Sequence, residues 1–293
     1  SSEARNTDTV SSHILKSDKS GQLSYTGLIF SLDGSRIYLS NVNGDIKVFG
    51  VDKEGQVRGL FSIPLPVAGA PNRKREIPAG LAISRDGRRL YVVLNLSNRL
   101  AEIDTASGEM LRSWPLGVAP YDVVLVGDKA YVSNWGGRIP ERDSLTGPAG
   151  QGMRVRVDPV RHIASEGSVS VIHLNRPIPV HKIIVGLHSS GIARSPDGRY
   201  VVVANAGSDT LSVIDTHKDK VIETIWAKPN PADLFGASPN ALVFNPSGET
   251  LYVANGTQNA IAVFHFRPAN SKLLGFIPAG WFPGAVTCDN ARN

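Results

Sequence analysis

Cysteine is almost missing from this chain: Cys288 stands alone among 293 residues. A single thiol excludes an internal disulfide and any zinc site built on several cysteines, so a buried, inert thiol is expected. No run of about 18 apolar residues occurs, and no helical transmembrane span is expected. The start shows no charged-then-apolar pattern of a signal peptide, and Ser1–Ser12 reads as a mature or trimmed end. The net charge of +5 is modest and no Lys/Arg run interleaves with aromatics, which argues against nucleic acid as a partner. Strings that carry common chemistry are absent too. There is no P-loop and no H-E-x-x-H. The nearest approach to a G-x-S-x-G elbow, Gly186-Leu187-His188-Ser189-Ser190-Gly191, has the wrong spacing. The seven histidines (13, 162, 173, 181, 188, 217, 265) are scattered without the spacing of metal ligands. The expectation is no catalytic set, no metal site and no cofactor in this chain, and whether it is an enzyme stays open at this stage.

What the chain does have is a repeat. Ser247-Gly248 followed by Leu251-Tyr252-Val253-Ala254-Asn255 is the clearest copy: a tight turn, then an apolar strand ending in Asn. It recurs around Asp197-Gly198, Asp86-Gly87 and Asp33-Gly34, with a worn copy at Gly127-Asp128. The turn glycines lie 53, 40, 71 and 50 residues apart. Without three non-repeating stretches, Val67–Glu76, Arg138–Glu166 and Ala227–Ser238, the spacings become 43, 40, 42 and 38. A unit of about 40 residues rich in short strands fits one four-stranded propeller blade. The Gly-containing turns accept the positive φ of tight hairpins, and β-branched and aromatic residues between them suit a pleated, half-buried surface. No segment holds a 3.6-residue period, so helix content is expected to be low. The fold class read from the sequence is therefore all-β, a β-propeller of four-stranded antiparallel blades. Five blades are recognisable (about 25–66, 77–118, 119–186, 189–227, 238–280), with the next starting at 283 and residues 1–24 an extension that supplies one closing strand at 9–23. His173 and His265 stand where other copies have Asp and read as structural.

In an antiparallel blade the D-to-A and B-to-C connections open on one face and the A-to-B and C-to-D turns on the other. All three insertions are thus expected on one face, where repeat proteins commonly bind. They carry nine basic side chains (Arg73, Lys74, Arg75, Arg138, Arg142, Arg154, Arg156, Arg161, Lys228) against six acids. That balance suits an anionic ligand or an acidic partner surface; the plainer reading is loops docked on their own chain. The binding-face candidates are Arg73, Arg75, Trp135, Arg138, Arg142, Arg154, Arg156 and His188. Trp135 stands at the root of the long insertion, to stack on a ligand or pack the loop down. His188 is placed to face the central channel.

At Leu251-Tyr252-Val253-Ala254-Asn255, Val203-Ala204-Asn205 and Ser212-Val213-Ile214-Asp215-Thr216 the chain resembles the YVTN-type β-propeller family. Tyr131-Val132-Ser133-Asn134-Trp135-Gly136-Gly137-Arg138, the insertion ending Val157-Asp158-Pro159 to Glu166-Gly167, and Ile277-Pro278-Ala279-Gly280-Trp281-Phe282-Pro283 sharpen it. They are similar to the propeller half of secreted bacterial proteins with an alkaline-phosphatase-like phosphoesterase domain downstream. The resemblance implies seven blades, a secreted, periplasmic or cell-surface location, and a metal-dependent phosphoesterase domain whose ligands and nucleophile match no position here. An open ring leaves exposed sheet edges, so missing blades or a hydrolase domain, on this or another chain, are the expected partners. The function read first is a non-catalytic scaffold or binding module acting through the loop-bearing face. The alternatives are a surface-layer or adhesion module, and a propeller hydrolase such as a sugar lactonase.

Overall fold

Strands and turns alternate at the length of one blade, and the structure, a computed structural model describing residues 26–288, folds them as a β-propeller. Blade 1 is β1 (Leu28–Phe30), β2 (Arg36–Asn41), β3 (Asp45–Val51) and β4 (Val57–Pro64). Blade 2 is β5 (Pro78–Ile83), β6 (Arg89–Leu94), β7 (Arg99–Asp104) and β8 (Met110–Pro115). Blade 3 is β9 (Pro120–Val126), β10 (Lys129–Asn134), β13 (Gly167–His173) and β14 (His181–Val185), interrupted by a small hairpin of β11 (Thr146–Pro148) and β12 (Arg154–Arg156). Blade 4 is β15 (Ser189–Arg194), β16 (Tyr200–Asn205), β17 (Thr210–Asp215) and β18 (Lys220–Trp226). Blade 5 is β19 (Pro239–Phe244), β20 (Thr250–Asn255), β21 (Ala260–His265) and β22 (Lys272–Pro278). Each of the five is a four-stranded antiparallel sheet, and no helix occurs among the described residues. The hairpin inside the long insertion was not expected. The closing strand at 9–23 lies outside the described residues, and 283–288 carry no strand.

The period of two along each strand explains why the middle strands are apolar throughout. In β16, Val201 and Val203 pack toward blade 3, while Val202 and Ala204 pack toward blade 5. Both faces of an inner blade are covered, so the usual in–out alternation is lost. The core is therefore four layers, one between each pair of consecutive blades. The two end blades keep the alternation. Leu251 and Val253 are buried against blade 4 while Tyr252 between them is half-exposed. Leu28 and Phe30 of β1 are exposed.

The turns follow the repeat as well. Gly34, Gly87, Gly127, Gly198 and Gly248 all have positive φ. A second positive-φ position precedes the innermost strand at Ala119, His188 and Ser238, and a third lies in the B-to-C turn at Asn98, Asp209 and Asn259. Because Ala119 and Ser238 share it, the backbone of His188 is set by the blade-to-blade connection rather than by a ligand site.

Candidate functional site

The loop-bearing face begins where β10 ends in Asn134. This Asn, with Asn41, Asn205 and Asn255 at the same repeat position, is fully buried. Asn134 Oδ1 accepts from Gly117 N (3.0 Å), and its Nδ2 donates to Ser168 Oγ (3.1 Å) and Ser170 Oγ (3.0 Å). Asn205 Nδ2 likewise reaches Thr210 Oγ1 (3.1 Å) and Ser212 Oγ (2.9 Å). Asn134 thereby ties the incoming blade-to-blade connection to its own sheet. Two acids reinforce the same seam. Glu76, buried, accepts from Ile77 N (2.9 Å) and Leu96 N (2.8 Å). Asp209, buried, accepts from Gly236 N (2.7 Å) and Ser238 N (2.9 Å).

The insertions gather on this face. Asn72 N donates to Gln151 O (3.0 Å), joining the first insertion to the second. The second packs Val155 and Val157 on Val118 and Ala119, with half-buried Trp135 against the cluster. Trp135 stacks on His188 with ring centroids 4.0 Å apart and planes 9° from parallel. Burial pushes the His188 imidazole below its ordinary range. His188 is thus stacked on an indole at the root of the insertion, and Trp135 packs that loop down.

The basic candidates divide. Arg138 donates Nε (2.9 Å) and Nη2 (2.8 Å) to Glu166, which also accepts the Arg138 N–H (2.9 Å). Burial works against the Glu166 carboxylate, but the Arg138 bonds and charge outweigh it and hold the carboxyl below its usual range. Arg156 Nη2 meets Glu141 (2.9 Å), and Arg154 donates to Thr146 Oγ1 and O (2.7 Å each). Arg73 Nε donates to Arg75 O (3.0 Å) and its Nη2 to Val42 O. Arg75 and Arg142 are exposed. Most of the rim's guanidinium groups therefore hold loops in place, on partners that no local pattern in the chain records. The Arg138–Glu166 pair closes the base of the insertion. Glu166→Ala should cost about 2 kcal/mol and open residues 139–165 to limited proteolysis. Unchanged cleavage kinetics would remove that role.

Two features on the inner strands were not anticipated. Asp122 of β9 is partly buried between inner strands of blades 2, 3 and 4. Its oxygens accept from Val123 N (2.8 Å) and Ile192 N (3.2 Å), yet burial pushes the carboxyl up to about 6. The Asp122 position lies outside the repeated strings, which hid it. Next to it, Val123, Val124 and Leu125 line a cleft of about 1020 Å³ that reaches the face bearing the tight turns, opposite the insertions. The cleft also presents Arg85, Arg89, Glu102, Arg112, Asp128 and Arg194. Glu102 is nearly buried and pairs with Arg112 Nε (2.7 Å) and Arg89 Nε (3.3 Å). Arg85 and Arg194 are exposed and form no ion pair among the described residues. No group of three or more His, Cys, Asp or Glu side chains placed to hold a metal ion occurs among the described residues.

Against known proteins, residues 156–277 match the family model of the lactonase 7-bladed β-propeller. Over 115 residues, 36% of this chain, it is 30% identical to 6-phosphogluconolactonase of Enterobacter sp. (strain 638). That match spans only about a third (33%) of the relative's length. A candidate 6-phosphogluconolactonase from Bacteroides fragilis superposes with a TM-score of 0.62 at 17% identity, covering 88% of this chain and 71% of that one. One from Bacteroides uniformis gives 0.56 at 14% identity, covering 88% and 86%. Hydrazine synthase of Kuenenia stuttgartiensis gives 0.51 at 15% identity, covering 93% and 92%. Structures of such different names at such low identity are alike in fold, and fold alone carries no activity. The YVTN resemblance and its phosphoesterase domain find no counterpart in these matches.

Proposed function

We propose that this chain forms most of a seven-bladed propeller that hydrolyses a sugar lactone, with the cleft beside Asp122 as its pocket. The match of residues 156–277 to the lactonase propeller carries this reading. Two observations support it. A carboxyl raised to about 6 is poised to take a proton from water near neutral pH. Arg85 and Arg194 offer unpaired positive charge at the cleft for an anionic substrate such as a phosphorylated sugar lactone. In the proposed step, water adds to the ring carbonyl as Asp122, which does not line the cleft itself but adjoins its lining at Val123, takes its proton. The ring C–O bond then breaks and the proton passes to the leaving alkoxide, giving the open hydroxy acid. Two further blades, on this or another chain, would cover the open faces of blades 1 and 5.

The test is acid release from glucono-δ-lactone and its 6-phosphate, with the native chain. We expect turnover above the spontaneous rate, an acid limb near pH 6, and a loss of about 100-fold in kcat for Asp122→Asn. Arg194→Met should raise KM for the phosphorylated lactone alone. A native chain no faster than water overturns the reading. A second reading, the non-catalytic module acting through the loop-bearing face, rests on the apolar side chains exposed there.

A further inference from the structure

Five large apolar side chains among the described residues are at least 70% exposed: Leu234 (94%), Trp281 (91%), Val160 (83%), Val67 (73%) and Phe235 (70%). Four of them belong to the three insertions, and Trp281 follows β22 in the next connection from an outermost to an innermost strand. All five therefore emerge on the loop-bearing face. Less exposed apolar side chains, such as Leu274 (65%) on β22 and Leu32 (61%) at a tight turn, lie elsewhere. Trp281 adds least, because Val118 at the same repeat position is covered by a neighbouring insertion. The other four stand on loops whose positions the structure fixes.

The tip at Leu234–Phe235 is propped outward. Lys228, itself buried, donates to Asp233 O and lies over the Phe235 ring at 4.6 Å and the Trp226 ring at 4.9 Å. Asp233 Oδ2 accepts from Asn230 N (3.1 Å), which closes the turn beneath the tip. Between the tips the face has a cationic excess: Lys74, Arg75, Arg142, Arg154 and Arg161 are exposed, against exposed Glu141, Asp143 and Asp233, and Arg161 pairs with Asp158 (3.4 Å). Single apolar residues on separate loops, set among cations, make no pocket for a protein side chain. They suit a surface that is anionic outside and apolar a few ångströms below.

We propose that the loop-bearing face docks on an anionic phospholipid surface, with Val67, Val160 and Leu234–Phe235 entering the acyl boundary and the exposed Lys and Arg side chains contacting headgroup phosphates. The cleft opens on the opposite face from this contact, so docking is tested separately from lactone hydrolysis. The experiment is flotation of the native chain with vesicles of phosphatidylcholine alone and of phosphatidylcholine mixed with phosphatidylglycerol. Binding is expected to the mixed vesicles, with weakening in raised salt. The double variant Leu234→Ser/Phe235→Ser should lower it about tenfold, and Lys74→Glu/Arg75→Glu should lower it on mixed vesicles. Both variants change exposed loops, and an unchanged thermal melt confirms that they fold. No recovery with mixed vesicles, equal recovery with neutral ones, or a double variant that binds like the native chain overturns the proposal. Capture of a protein partner without vesicle binding does so too.

Discussion

Gly117→Ala is expected to destabilise the protein by about 3 kcal/mol or more, although it adds one methyl group. A Cβ at Gly117 would lie 2.3 Å from Gly137 O and 2.7 Å from Asn134 Cβ and Cγ. Two of the crowded groups belong to backbone or to a fully buried residue, so neither can rotate away. The displacement would also break the Gly117 N–H bond to Asn134 Oδ1 and leave a buried acceptor unpaired. Gly186 holds the same position in the next blade, and its Cβ would meet Asn205 at 2.7 Å. Gly280 supplies the control: it occupies the same repeat position, but nothing lies within 4 Å of its Cβ. Gly280→Ala should therefore be near neutral. Before the third insertion this position is Lys228, and the carbonyl of the preceding Ala227 accepts from Asn255 Nδ2 (2.7 Å). Urea unfolding of the three glycine variants decides the matter. Similar losses at Gly117 and Gly280 would show that the penalty does not come from crowding against the Asn latch, since the entropy change of Gly→Ala by itself favours folding.

The second large effect is a stability that falls as pH rises. Asp122 carries a folded-state pKa of about 6 against an ordinary 3.8. Between those values the folded protein holds a proton that the unfolded chain has released. Folding is therefore favoured by this group below about pH 4, and the contribution is lost as pH rises through 6, by up to about 3 kcal/mol. Carboxylates held low, such as Glu166, act in the opposite sense. The informative quantity is thus the difference in unfolding free energy between the native chain and Asp122→Asn, measured from pH 4 to 7. That difference should shift against the native chain over this interval. A flat difference would mean that Asp122 titrates as an ordinary carboxyl, and would also withdraw its role as the proton acceptor at the cleft.

Much of the fold was legible because each blade repeats the same local choices. Turn glycines at 34, 87, 127, 198 and 248, apolar middle strands and a closing Asn recur at a fixed period. The candidate site was far less legible. Arg138 was visible as a basic residue, but its partner Glu166 is 28 positions away and meets it only when the insertion closes. His188 was expected to face the channel; the structure stacks it on Trp135. Asp122 and the cleft drew no attention, because neither interrupts the repeat.

The order of residues alone determined strand length, turn type and the face from which each insertion leaves, since these depend on φ preference and a period of two within a few neighbouring positions. Tertiary structure decided the rest: which cations are neutralised, which amide is buried between blades, and which carboxyl is lifted toward neutrality. Charge pairing and desolvation act through space between groups dozens of residues apart, and no local pattern records them.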